Sequence, residues 1–116
     1  MPIFLVRHAK AGSRSTWEGD DMVRPLTQVG LAQSKIIAER LLAHQPSVLL
    51  SSPYVRCVQT LEPLAEISGL EIVIDERLTE ESPLEKSLAV LEDVPDNAVL
   101  CSHGDVIPDL VNGLIR

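Results

Sequence analysis

Aromatic residues are scarce: Phe4, Trp17 and Tyr54 are the whole complement, 3% of 116 residues. A core built on stacked rings, or a surface that reads single-stranded nucleic acid by stacking, is therefore excluded. Cationic residues are also few. Ten Lys and Arg face seventeen Asp and Glu, a formal net charge of −7, which argues against nucleic acid and anionic membrane as partners, since both need clustered positive charge. No apolar run is long enough to span a bilayer. The start, "MPIFLVRH", has no basic stretch before its apolar run and no small-residue cleavage site, so no signal peptide is expected and a cytoplasmic location is the default. Only two cysteines occur, Cys57 and Cys101, in no CxxC spacing and each beside apolar neighbours. They are expected to be reduced and buried. Two histidines and two cysteines at these positions make no metal-ligand spacing, so neither metal nor cofactor is expected.

What is present is a 45% hydrophobic fraction in a chain long enough for one core. Short β-branched runs at 3–6, 48–50, 72–74 and 98–101 read as strands buried on both faces. Helical patterns separate them. One starts after Thr27 as N-cap, carries Leu31, Ser34, Ala38 and Leu41 on one face, and ends near His44. A second is expected from "SSPYVR", with Ser52 as N-cap and Pro53 in the first position, turning Val55, Val58, Leu61, Leu64 and Ala65 inward and stopping at Gly69. A weaker third runs from Leu84 to Glu92, and a fourth is expected from Val106. Strand and helix alternate four times, which predicts an α/β domain with a mainly parallel sheet.

Ligands of such sheets bind beyond the carboxyl ends of the strands. There the pattern places Arg7 and His8, then Ser51 and Ser52, then Glu80 and Glu81, then His103 and Gly104. The long irregular stretch 10–25 fits a lid or specificity loop. Arg7 and Arg56 offer planar forks for phosphate oxygens, and helix N-termini at Ser52 and Val106 would add aligned N–H groups. Nearby guanidiniums would depress the pKa of an imidazole and keep it a neutral nucleophile toward phosphorus. Each residue alone has a plainer explanation as a loop hydrogen-bond partner, a solvated charge or a helix-dipole partner. Their convergence on one edge favours an anion site.

"LVRHA" at 5–9, "SSPYVRCVQT" at 51–60 and "SHG" at 102–104 resemble, in order and spacing, the motifs of the histidine phosphatase superfamily, with its phosphoglycerate-mutase-like fold. "RPLTQVG" at 24–30 is similar to the small SixA-type phosphohistidine phosphatases. "GDD" at 19–21, "RCVQTLEPLA" at 56–65, "LTEES" at 78–82 and "VIPDL" at 106–110 are similar to the phosphatase-like second half of actinobacterial MutT/Nudix fusion proteins.

The resemblance covers essentially the whole chain. It implies a single three-layer α/β/α domain over 1–116 and a phosphohistidine intermediate at His8. Arg7, Arg56 and His103 would surround the phosphoryl group, Gly104 and Arg24 would help bind substrate, and Glu80 would be the acid, with Glu81 as fallback. SixA-type members carry Pro at the acid position, so Glu80 tilts the expectation toward a phosphoester or nucleotide rather than a phosphohistidine protein alone. Lys10 and Arg14 are candidates to extend the anion pocket. Members of the family continue beyond the second His, so this chain is expected either to be truncated or to lack an edge strand. The short insertions argue against a mutase. The rival expectation is a non-catalytic phosphate-binding or regulatory module that partners another enzyme, such as a Nudix hydrolase.

Overall fold

The computed structural model describes residues 3–104. Strand β1 (Ile3–Arg7) leads through an irregular stretch and a short 3₁₀ turn (Asp21–Val23) to helix α1 (Gln28–Leu42). Strand β2 (Leu49–Ser51), helix α2 (Val55–Ser68), strand β3 (Ile72–Ile74), a second 3₁₀ turn (Glu76–Leu78), helix α3 (Leu84–Asp93) and strand β4 (Ala98–Ser102) follow. The sheet order is β1-β4-β2-β3 and every pairing is parallel. All four strands therefore end at one edge, as the alternating pattern predicts.

The strand residues alternate between two cores, one on each face. Leu49, Val99 and Cys101 face Ala38 of α1 and Cys57, Leu61 and Leu64 of α2. Ala98 and Leu100 face Leu78 and Val90 on the other side. This is the expected α/β/α sandwich. A fully buried leucine such as Leu61, Leu64 or Leu100 contributes on the order of 2 kcal/mol through removal of apolar surface from water.

Local signals account for most helix ends. The Thr27 hydroxyl accepts from Gly30 N at 3.0 Å and caps α1. Gly69, at φ 78°, ends α2 in the left-handed conformation that suits glycine. Three expectations need correction. Helix α2 starts at Val55 with Tyr54 as N-cap in an extended conformation, and Ser52 is not its cap: the Ser52 hydroxyl sits 2.8 Å from His103 Nε2 and accepts from Tyr54 N–H at 3.3 Å, ahead of the helix. Its buried face is Arg56, Cys57, Thr60, Leu61 and Leu64, while Val55, Val58 and Ala65 are only partly buried. Strands β1 and β3 are not buried on both faces: among the described residues both lie at the ends of the sheet, β1 is only partly buried, and Val73 and Ile74 are about half exposed (51% and 48%). The expected helix from Val106 lies outside the described residues, as does its N-terminal anion contact. No helix among the described residues is long and apolar enough to cross a membrane.

Candidate active site

His8 directly follows β1, and its N–H continues the ladder by donating to Ser102 O at 3.1 Å. Its ring is oriented by its own neighbour. Nδ1 lies 2.8 Å from the Ala9 carbonyl, and a carbonyl can only accept, so Nδ1 carries the proton and the lone pair of the neutral ring sits on Nε2. Ala9 is held in turn, since its N–H donates to Thr60 Oγ1 (3.0 Å) and that hydroxyl donates to Arg56 O (2.7 Å). One hydroxyl on α2 thus couples the His8 loop to the turn that carries Arg56. The His8 pKa lies below 6.5, first because burial disfavours the charged ring, with the Arg56 charge a lesser contribution. The expected direction holds, but desolvation rather than guanidinium repulsion leads.

His103, at the end of β4, is 2% exposed. Its ring stands edge-on to His8 with centroids 5.6 Å apart, and edge-on to Tyr54 at 4.7 Å. Nε2 meets Ser52 Oγ at 2.8 Å and Cys57 Sγ at 3.7 Å, while Nδ1 is buried with no hydrogen-bond partner among the described residues. The two cysteines are free and buried. Cys57 is pulled down to about 5, mainly by a hydrogen bond from the Cys101 thiol, with His103 adding to it, whereas burial pushes Cys101 up.

Arg56, 1% exposed, lies with its guanidinium 4.7 Å from the Tyr54 ring centroid. Nη1 donates to Asp21 O (2.9 Å), and Nη2 donates to Asp21 Oδ2 (3.1 Å) and Glu80 Oε2 (3.2 Å). Arg7 is exposed and its guanidinium lies over Gly104, where an added Cβ would come within 3.0 Å of Cζ. Gly104 thus acts by clearance. Arg24 is buried, with Nε on Asp21 Oδ1 at 2.8 Å and Nη1 on the Gly12 carbonyl. Arg7, His8, Lys10, Arg14, Arg24 and Gln33 line one open cavity of about 500 Å³. Among the described residues, neither Arg7 nor Lys10 has a carboxylate partner.

Glu80 reaches this group from the loop after the second 3₁₀ turn. That loop is anchored by buried Leu78, whose carbonyl accepts from Ser102 Oγ at 2.6 Å. Glu80 Oε1 accepts from Arg14 Nη2 at 2.6 Å and Oε2 from Arg56. Glu81 has a left-handed backbone (φ 62°) and lines a different cavity with Pro53, Arg77 and Lys86. The structure thus groups Arg7, His8, Arg24, Arg56, Glu80, His103 and Gly104, and sets Glu81 apart. The sequence pattern places Ser52 at this edge but assigns no place in the site to Asp21, Tyr54 or Thr60. Tyr54 and Thr60 lie in "SSPYVRCVQT", two residues after Ser52 and four after Arg56, and Asp21 closes the "GDD" motif at 19–21.

A parallel α/β sandwich that presents two facing imidazoles and several guanidiniums at its carboxyl edge defines a phosphate-binding class of protein. A family model described as "Histidine phosphatase superfamily (branch 1)" matches residues 3–83, and the chain belongs to that superfamily.

The "8-oxo-(d)GTP phosphatase" of Mycolicibacterium smegmatis is 38% identical over 115 residues, covering 94% of this chain and 36% of the relative. The "Probable phosphoglycerate mutase GpmB" of Yersinia pestis is 29% identical, covering 97% of this chain and 51% of that protein. The chain therefore spans between a third and about half of these curated relatives. Among solved structures, a SixA protein from Agrobacterium tumefaciens superposes with a TM-score of 0.78 at 28% identity, covering 97% of this chain and 72% of that one. SixA complexed with tungstate gives 0.79 at 28% identity, covering 94% and 73%.

Proposed function

We propose that this chain is a metal-independent phosphatase that passes a phosphoryl group through His8. The observation that carries the reading is the state of that ring: Nδ1 is committed to Ala9 O, Nε2 is left as the nucleophile, and burial keeps the ring neutral. Nε2 attacks phosphorus, the P–O bond to the leaving group breaks, and the departing oxygen takes a proton from Glu80. Water then attacks the phosphohistidine and gives a proton to the Glu80 carboxylate, the P–N bond breaks, and inorganic phosphate leaves with the His8 lone pair and the Glu80 acid both restored. Arg7, Arg56 and His103 stabilise charge on the phosphoryl oxygens in both steps.

Glu80 accepts hydrogen bonds on both oxygens in this ligand-free arrangement. Acid catalysis therefore requires one of them, the exposed Arg14 contact, to be given up when substrate enters. Lys10, Arg14 and Arg24 line the same cavity as His8, which suits a substrate whose remaining part is itself anionic. A small phosphoester or nucleotide fits this better than a neutral alcohol ester, and the name of the Mycolicibacterium relative points the same way. A phosphohistidine protein, as the SixA likeness suggests, needs no acid at Glu80, because imidazole leaves readily.

The test is phosphate release in the presence of a metal chelator from p-nitrophenyl phosphate, nucleoside phosphates and a phosphohistidine protein, by the native chain and by His8→Ala. Turnover that His8→Ala abolishes is the expected result. A folded protein that binds phosphate but turns over none of the panel would instead be a binding module.

A further inference from the structure

The irregular 10–25 stretch delivers one carboxylate to three guanidiniums. Asp21 Oδ1 accepts from Arg24 Nε at 2.8 Å and lies 3.9 Å from Arg14 Nε. Its Oδ2 accepts from Arg56 Nη2 at 3.1 Å, and its backbone carbonyl accepts from Arg56 Nη1 at 2.9 Å. One residue thus grips both terminal nitrogens of a guanidinium that is otherwise walled in at 1% exposure.

The hydrogen-bond account of Arg56 shows what this grip leaves over. A guanidinium has five N–H donors. Two go to Asp21 and one to Glu80. The remaining two are one on Nη1 and the one on Nε, which is buried and unpartnered among the described residues. A buried donor without a partner is costly unless a bound group completes it. Asp21 fixes the plane of the guanidinium through its two terminal nitrogens, and the face of Tyr54 supports it.

We propose that Asp21 is a positioning residue for the phosphoryl site: by gripping Arg56 and Arg24 together it holds the Arg56 Nε–H in place for a phosphoryl oxygen and locks the 10–25 stretch onto the site. This rests on the reading above that Arg56 binds the phosphoryl group. Arg24, above all, holds the Asp21 carboxyl below its ordinary range, with Arg56 contributing, so the grip stays charged at working pH. Asp20, the neighbouring acid, does not share the task, since its side chain accepts from Met22 N at 2.9 Å.

The experiment is a double-mutant cycle between Asp21→Asn and Arg56→Lys, which keeps the charge but removes the fork. Its readouts are kcat and KM for p-nitrophenyl phosphate, the inhibition constant of orthovanadate, and the thermal midpoint. Asp21→Asn is expected to lower kcat/KM by about ten- to a hundredfold, the range for a misaligned catalytic group, and to weaken vanadate by about tenfold. In the Arg56→Lys background the same change is expected to cost less than about threefold, because contacting partners couple. Asp21→Glu, one methylene longer with the charge kept, is expected to fall between native and Asp21→Asn. It carries the comparison if Asp21→Asn melts below the assay temperature.

Equal losses in both backgrounds would mark a general loop effect and overturn the proposal. So would an Asp21→Asn protein with native kcat/KM while Arg56→Lys is impaired, which leaves the phosphatase reading standing. Native activity in Arg56→Lys and His8→Ala alike would overturn both.

Discussion

Gly30→Ala tests how closely the His8 loop is tied to the helix behind it. Gly30 is the third residue of α1, and a Cβ there would lie 2.0 Å from Lys10 O, 2.9 Å from Lys10 C and 3.1 Å from Lys10 N. All three are backbone atoms, so no rotamer change relieves the overlap. The Lys10 carbonyl is further pinned by Thr27, whose N–H and hydroxyl donate to it at 2.9 and 3.0 Å. Two effects oppose each other. Alanine is the better helix former by about 1 kcal/mol. Overpacking costs about 1–3 kcal/mol, and loosening two hydrogen bonds adds about 1 kcal/mol each.

The balance is a net loss of about 2–4 kcal/mol, or on the order of 8–16 °C in thermal midpoint for a domain of this size. Lys10 O must move by about 1.4 Å to reach ordinary contact distance, and Lys10 lies two residues from His8. A displacement of that size at a catalytic group costs about a hundredfold in rate. Urea melts with the kinetics of p-nitrophenyl phosphate hydrolysis, measured on the folded variant, give both quantities. A variant within about 0.5 kcal/mol of native stability and with native kcat would refute the reasoning.

The pH dependence follows from two groups. Protonated His8 cannot attack, and its folded pKa is lowered, so the acid limb of kcat/KM is expected to have its midpoint below 6.5; a midpoint above 6.5 would contradict the burial argument. Asp75 is held below its ordinary 3.8, first by the hydrogen bond from Arg77. Its stabilising contribution is therefore complete above 3.8 and lost as pH falls through the lowered value, and Asp75→Asn is expected to remove that part of the acid transition in a pH-resolved melt. Glu80→Gln cannot supply a proton, so it is expected to cost an alkyl phosphate about a hundredfold or more but p-nitrophenyl phosphate less than about tenfold. Equal losses on the two substrates would mean that Glu80 only holds Arg56 and Arg14.

The sandwich was readable because its strands are short apolar runs and its helices carry the spacing of one buried face. Arg7, His8, His103 and Glu80 were readable for the same reason, since Arg7 ends a strand and the others follow one whose end the pattern locates. Two kinds of feature were not. A strand such as β3 looks the same in sequence whether it lies in the middle of a sheet or at its edge, because strand order depends on long-range pairing rather than local pattern. The Asp21 grip was hidden too, since an irregular stretch has no period by which to decide which of Glu18, Asp20 and Asp21 turns inward. The start of α2 misled because "SSP" has the residues of a helix cap, but Tyr54 stays extended, and the Ser52 hydroxyl accepts from its N–H ahead of the helix while also meeting His103, fifty-one positions away.

Everything proposed for the site depends on His8 Nε2 accepting the phosphoryl group. The most direct measurement mixes excess enzyme with substrate, quenches in alkali, where the phosphorus–nitrogen bond survives, and locates any added phosphoryl group by mass spectrometry of the intact chain and its peptides. The account predicts one phosphoryl group on His8, appearing and decaying at rates that support turnover, and none in His8→Ala. Turnover with His8 unmodified throughout, or the phosphoryl group on His103 instead, would contradict it.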